Sequence, residues 1–248
     1  MTLRITTLAE RPEFAASLWD MPSAWPEFML NDPVADLFYT VATTEYPEFV
    51  LVADDEAEPG RLVARGCMMP FTTKDGTLPD DGWDAVLRRG WLARTRKRQP
   101  DAVSALEITV RKDLLGSGLS AHMVAALRDN AAKHGFGELV APVRPNQKHL
   151  EPDTPMAEYA FRTRDDGLPY DAWLRVHVRA GATVRKVAPR SMTVSGTLAE
   201  WRGWTGLPFD RSGPLHVPGA LSPVHVDVAH DVAVYVEPNV WVGHPLTG

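Results

Sequence analysis

The sequence predicts an α/β (α+β) protein built as one elaborated domain. Three observations carry this. Apolar runs of strand length alternate with helix-period segments along the chain. A central segment reads as strand, glycine-bearing loop, helix, strand. Near the end, two runs of alternating apolar and polar residues flank a turn, which predicts a terminal hairpin. At 248 residues the chain is long for one small domain and short for two full ones.

The elements follow in order. Leu3–Leu8 is a short opening strand, and Pro12 opens a helix carrying Phe14, Leu18 and Trp19. Asp32 followed by Pro33 is an N-cap and first-turn proline, so a helix runs to about Thr44 and buries Val34, Leu37, Phe38 and Val41. Phe49–Ala53 and Arg61–Phe71 are strands joined by an acidic turn. Gly82–Arg98 is helical and basic, a solvated face or else a patch for a phosphate-bearing ligand. Ala102–Val110 is a strand and Leu119–His134 a helix, with Leu119, Met123, Ala126 and Leu127 on one face and Gly135-Phe136 closing it. Glu138–Val143 is the next strand, which makes a parallel βαβ crossover. Arg144–Leu168 reads as a surface connection over the site. Tyr170–Ala180 is a helix ended by Gly181, and Thr183–Val187 and Ser191–Ser195 are strand pieces broken by Pro189. A linker follows with Trp201, Trp204 and Phe209, and then the hairpin Val224–Val228 and Val232–Val236.

Composition excludes several classes. No run of about 18 apolar residues occurs, so no membrane span is expected. The N-terminus lacks a signal-peptide core, which predicts a cytoplasmic protein. One cysteine, Cys67, gives neither an internal disulfide nor a multi-cysteine metal site, and His216, His225 and His230 lack metal-ligand spacing. A net charge of −6 argues against non-specific nucleic-acid binding.

The chemistry lies in Ile108–Phe136. The strand ends near Val110, a loop follows, and Gly116 and Gly118 open a helix. Main-chain amides in such a loop, with the helix dipole behind them, suit a diphosphate. A P-loop is excluded, because Leu119 follows Gly118 where lysine is required. Gly116, Gly118 and Ala121 satisfy a dinucleotide-binding spacing, but five residues separate the strand from the first glycine, and Glu138 opens the next strand rather than closing it.

The segment resembles the acyl-CoA-binding motif of the GNAT superfamily of N-acetyltransferases. That motif is a strand ending in valine, a loop, Arg/Gln-x-x-Gly-x-Gly/Ala, and a helix ending in Gly-Phe. Leu115-Gly116-Ser117-Gly118-Leu119-Ser120 lies on the loop, with Gly118 on the consensus glycine. Leu115 replaces the Arg/Gln and Ser120 the final Gly/Ala.

The resemblance implies a mixed, mostly antiparallel sheet flanked by helices, with the strands Ala102–Val110 and Glu138–Val143 parallel and splayed. It implies a single domain over residues 1–248, with additions near 82–98 and 144–168 and an extended hairpin region over 196–248. It implies acetyl-CoA as acyl donor, held by Ile108, Thr109, Val110, Leu115, Gly116, Ser117, Gly118, Leu119 and Ser120. The acceptor is a small-molecule or peptide amine that attacks directly in a ternary complex, with no metal, nucleic acid or membrane involved. A homodimer stays open as the assembly. Glu107 sits where the family places a carboxylate that takes the acceptor's proton. His177 stands four residues before Gly181, where the family carries the acid that protonates the CoA thiolate; Tyr159 and Tyr170 are substitutes. Trp173, Trp201, Trp204 and Trp241 line an acceptor pocket or pack the core. Two other classes stay open at this point, a non-catalytic acyl-CoA binder and a nucleotide-linked oxidoreductase.

Overall fold

The computed structural model describes residues 2–21, 25–58 and 60–246. Their framework is a nine-stranded sheet. Strands β1 (Leu3–Thr7), β2 (Val50–Asp55), β3 (Leu62–Phe71) and β4 (Ala102–Val110) follow each other antiparallel across it. β5 (Glu138–Val143) then lies parallel to β4, and β9 (Val232–Pro245) antiparallel to β5. The other edge of β9 pairs along its length with β6 (Thr183–Gly196). β8 (Val224–Asp227) and β7 (Gly213–Leu215) extend the sheet beyond the end of β5.

Alternation along β3 divides the helices between the two faces. Gly66 leaves room for Met123 and Leu127 of α3 (Leu119–Lys133) on one side. Arg65 and Cys67, one residue either way, point to the opposite face, toward Tyr39 and Glu107. That face carries α1 (Pro33–Thr44) and α2 (Gly82–Thr95), packed on each other and on β3. The core beneath them is continuous from Phe14 through Val50, Met68 and Leu106 to Trp241. A smaller apolar cluster joins β5 and β9 to α4 (Met156–Tyr159) and α5 (Ala172–Arg179). Among the described residues no helix is long and apolar enough to cross a membrane.

The local chemistry accounts for the element ends. Asp32 caps α1 by accepting from the amides of Val34 and Ala35, at 2.7 and 3.0 Å. α3 ends in the paired hydrogen bonds Phe136 N to Ala131 O and Gly135 N to Ala132 O, which is the cap its Gly-Phe ending predicts. α5 ends the same way at Gly181, and Asp171 caps its start. Arg88 in the middle of α2 and Arg94, Arg96, Lys97 and Arg98 at its end are exposed.

Several expectations are corrected. The Pro12 helix is only a 3-10 turn, Pro12–Ala15, although Phe14 and Leu18 are both buried. Leu37 is exposed, and α1 turns Ala42 inward instead. β6 is continuous through Pro189, since a register shift between Ala188 and Met192 absorbs the missing donor. The linker with Trp201 holds a helix, α6 (Leu198–Thr205), opened by a Thr197/Glu200 capping box. The second hairpin strand runs on to Pro245 as a central strand of the sheet. The 144–168 connection is anchored: Lys148 is buried, and its ammonium donates to the carbonyls of Glu151, Pro152 and Leu221.

Candidate active site

β4 and β5 are paired only at Val103–Leu139 and Ser104–Val140. Beyond that point they separate, and a cleft of about 500 Å³ opens between them. Two local features drive the split. In β4 the register against β3 shifts, so Leu106 is an extra residue that bends the strand. The Trp83 indole donates to the Leu106 carbonyl at 3.0 Å and holds the bulge. In β5, Pro142 removes a ladder N–H at the level where β4 has already turned away. Main-chain groups of β4 on this side therefore face the cleft rather than a partner strand.

The cleft is walled by Ile108, Thr109, Val110, Leu115 and Ser120 on the β4 side and by Ala141–Val143 opposite. Its mouth is the loop into α3. Gly116 and Gly118 there have φ of 82° and 83°, and nothing lies within 4 Å of where a Cβ would stand. Gly118 caps α3 without a side chain, and while the Ala121 amide donates to the Gly118 carbonyl at 3.0 Å, no side chain covers the amides of Leu119 and Ser120. Gly116, Ser117 and Gly118 are exposed, with the Ser117 hydroxyl turned back onto the Leu114 carbonyl at 2.7 Å. One residue is corrected: the Leu119 side chain is buried in the core, so only its main chain faces a ligand. The cleft and loop together fit a pantetheine arm with a diphosphate at its mouth.

A second cavity of about 560 Å³ lies on the α1–α2 side of β4. Trp19, Tyr39 and Trp83 line it, with the carboxylates of Asp20 and Asp36 and the guanidinium of Arg65. Trp25, Trp83 and Glu107 border both cavities. Glu107 is thus the ionisable group common to the two among the described residues. Its side chain is 7% exposed and that of Arg65 is 5% exposed. Arg65 donates to Glu107 Oε1 at 3.0 Å. The Thr109 hydroxyl donates to the same oxygen, and the Tyr39 hydroxyl donates to Oε2. Burial, with the negative charge of Glu107 and the cysteine position beside it, pushes the Tyr39 phenol well above its ordinary range. Arg65 also donates to the Leu18 carbonyl and lies over the Trp19 ring, 4.8 Å from its centroid.

His177 borders the cleft between β4 and β5 from α5 but is not brought to Glu107's cluster; its Nδ1 faces His244 Nε2 at 2.9 Å. Burial, and then the charge of His244, push its pKa down to about 3. Tyr159 is buried on Asp171, at 3.0 Å, while Tyr170 is half exposed. Of the tryptophans read as pocket candidates, Trp173 borders the cleft between β4 and β5, and Trp201 and Trp241 are wholly buried in the core. The second cavity takes its aromatic walls from Trp19, Trp25, Tyr39 and Trp83 instead. Sequence reasoning missed Arg65 and Tyr39. A signal for Arg65 exists: it is the one charge inside the apolar run Leu62–Phe71, as Glu107 is inside Ala102–Val110, and such isolated opposite charges on adjacent buried strands pair.

No protein-family model matches the sequence. The chain is 34% identical to the arginine N-acetyltransferase avaD of Aspergillus versicolor, over 98% of this chain and 93% of that protein. Among solved structures it shares the fold of the loading GNATL domain of CurA from Lyngbya majuscula, with a TM-score of 0.64 at 15% identity, covering 99% of this chain and 98% of that one. It likewise shares the fold of the GphF GNAT-like decarboxylase in complex with isobutyryl-CoA, with a TM-score of 0.53 at 14% identity over the whole of both chains. Splayed parallel strands, a glycine loop at a helix start and 34% identity to an N-acetyltransferase over nearly the full length of both chains give one conclusion: the chain belongs to the GNAT superfamily of N-acetyltransferases.

Proposed function

We propose that the protein transfers an acetyl group from acetyl-CoA to a nitrogen of arginine or of a molecule bearing an arginine-like cation. The observation that carries this is the second cavity and its junction with the donor cleft at Glu107. Its aromatic rings and the carboxylates of Asp20, Asp36 and Glu107 outweigh the single cation Arg65, a lining suited to a guanidinium or ammonium. The relative's activity on arginine supports the same class. We read residues 1–248 as one domain whose additions build the site: Trp83 from 82–98 enters the acceptor cavity, and Asn146 and His149 from 144–168 border the donor cleft.

In this reading the loop amides around Gly116–Ser120 hold the diphosphate, and the pantetheine arm lies between β4 and β5. A β4 amide beyond Ser104 polarises the acetyl oxygen. The acceptor nitrogen enters from the opposite side of β4, and Glu107 takes its proton as the C–N bond forms. Direct transfer needs both ligands at once, as the shared border of the two cavities allows. The sole cysteine does not offer a covalent route, because burial, and then the charge of Glu107, push the Cys67 thiol up to about 12. His177, held neutral by burial, has no imidazolium to give at neutral pH, and we assign it to the shape of the cleft wall.

The test is an acetylation assay with L-arginine, agmatine, L-lysine, spermidine and an uncharged amide as control, each product located by mass fragmentation. Cationic acceptors are expected to turn over and the control is not. Glu107→Gln should lower turnover by about 10²–10⁴, most at low pH, where the acceptor needs a base. A variant as fast as wild type across the neutral and alkaline range would remove Glu107 from the mechanism.

A further inference from the structure

In the reading above, the departing CoA sulfur has no partner for the charge it gains. The hydrogen bonds at Glu107 are divided between the two cavities. Tyr39 lines the acceptor cavity and grips Oε2. Thr109 lines the donor cleft and donates to Oε1. Thr109 follows Glu107 by two residues, so both side chains stand on one face of β4, about 6–7 Å apart along the strand. The direction of that step matters. From the glycine loop the donor must pass Val110 and Thr109 before its acetyl carbon reaches Glu107. The sulfur is the atom immediately on the loop side of that carbon, which is the Thr109 side.

We propose that Thr109 is a catalytic residue whose hydroxyl swings from Glu107 to the CoA sulfur as the acyl group leaves. This rests on the assignment of Glu107 as base. Before reaction the Glu107 carboxylate is the strongest acceptor within reach, and it holds the Thr109 hydroxyl. When the nitrogen attacks, the C–N bond forms and the acceptor's proton passes to Glu107, which becomes a neutral and much poorer acceptor. As the C–S bond breaks, its electron pair goes to sulfur, now the strongest acceptor nearby. Rotation about one Thr109 bond moves the hydrogen bond across. CoA leaves as the hydrogen-bonded thiolate, Glu107 returns the acceptor's proton to solvent, and the thiolate takes one proton from solvent, so the balance closes and the base is restored. The hydroxyl thereby couples the loss of charge at the base to the gain of charge at the leaving group. Thr109 is 7% exposed, so this hydrogen bond forms with little competition from solvent.

Two readouts test this, and only one needs an acceptor. Thr109→Val keeps the β-branched shape and removes the hydroxyl, while Thr109→Ser keeps the hydroxyl. With acetyl-CoA and the fastest amine of the panel above, Thr109→Val should lower kcat roughly 10- to 100-fold, the worth of one hydrogen bond to a charged group, with acetyl-CoA affinity by calorimetry unchanged. Without acceptor, in a Glu107→Gln background whose neutral amide stands for the protonated carboxyl, adding Thr109→Val should raise the pKa of the bound CoA thiol, titrated by thiolate absorbance, by about one unit. Thr109→Ser should recover both. If Thr109→Val does not fold, Thr109→Ala against Thr109→Ser makes the same comparison. An unmoved thiol pKa, or a kcat within about twofold of wild type, overturns the proposal. The base assignment fails separately, by a fully active Glu107→Gln, and a slow Glu107→Gln beside a fast Thr109→Val overturns the hydroxyl swing alone. A wild type that acetylates no amine of the panel overturns both.

Discussion

Single buried ionisable groups set how this protein should respond to pH. Asp84, in the first turn of α2, is 6% exposed, and burial followed by the negative charge of Asp32 raises its pKa from 3.8 to about 8. Because the folded value lies above the unfolded one, the unfolded chain loses this proton first, and stability falls as pH rises from 3.8 toward 8. His177 and His244 act in the opposite sense. Burial lowers them from 6.5 to about 3 and about 4, so the stability they confer is complete above 6.5 and is lost as pH falls toward those values. Above 6.5 only Asp84 of these three operates, and below it the two histidines outweigh the one acid, so thermal stability should peak near pH 6.5. Asp84→Asn is expected to flatten the alkaline side and raise stability near neutrality by roughly 2 kcal/mol. His177→Asn is expected to flatten the acid side. Melting temperatures of the three proteins across pH decide it: an Asp84→Asn curve parallel to wild type above the maximum would show that this carboxyl does not titrate as its burial implies. None of this was legible in the sequence. Asp84 and His177 become unusual only through what covers them, whereas Gly118 was picked out by the local glycine pattern and Glu107 by the family resemblance of its strand.

At the scale of elements, the segment from β4 through α3 to β5 matches its sequence reading within a residue at every boundary, because each boundary has its own local cause. Strand-forming residues end at Val110, Gly118 opens α3, and Gly135-Phe136 closes it. α6 and the far half of β9 were not read because their signals are tertiary. Trp201 is helical in a glycine- and proline-rich stretch, where its ring fills the core and its indole donates to Ala233. Two glycines give contrasting predictions. At Gly118, φ is 83° but the space is open, so Gly118→Val should strain the loop by about 1–2 kcal/mol and block the approach of a diphosphate. Acetyl-CoA affinity should drop at least tenfold with the fold retained; tight binding by the folded variant would move the cradle elsewhere. At Gly82, a Cβ would stand 2.2 Å from the Ser191 hydroxyl oxygen, which holds the Trp83 amide at 2.9 Å. Gly82→Ala should therefore displace the start of α2 from β6, cost about 2–3 kcal/mol, and loosen the Trp83 that holds the β4 bulge. Thermal unfolding measures the first effect and indole fluorescence the second.

Across the whole molecule, the sheet works as a partition with one opening. β1 to β4 and β5 with β9 and β6 are each continuously paired, and the seam between them is closed by two residue pairs only. The cleft proposed for the donor occupies that seam, and the cavity proposed for the acceptor lies behind β4 under α1 and α2. The parallel, splayed arrangement was legible through the resemblance of one segment, and Pro142 is its independent trace in the sequence. The acceptor side was not, since Trp19, Tyr39, Arg65 and Trp83 come from four separate stretches that only the fold brings together. This architecture makes a kinetic prediction. In the proposed assignment donor and acceptor enter from different sides and meet at Glu107, and burial pushes the pKa of the one cysteine up to about 12, so no step should leave the acetyl group on the protein. Initial rates over a grid of acetyl-CoA and arginine concentrations should give intersecting double-reciprocal lines, and CoA should inhibit competitively against acetyl-CoA but not against arginine. Enzyme incubated with acetyl-CoA alone should keep its unmodified intact mass. Parallel lines with a stable acetyl adduct would mean that a nucleophile on the chain carries the group, and that the shared border at Glu107 is not where transfer occurs.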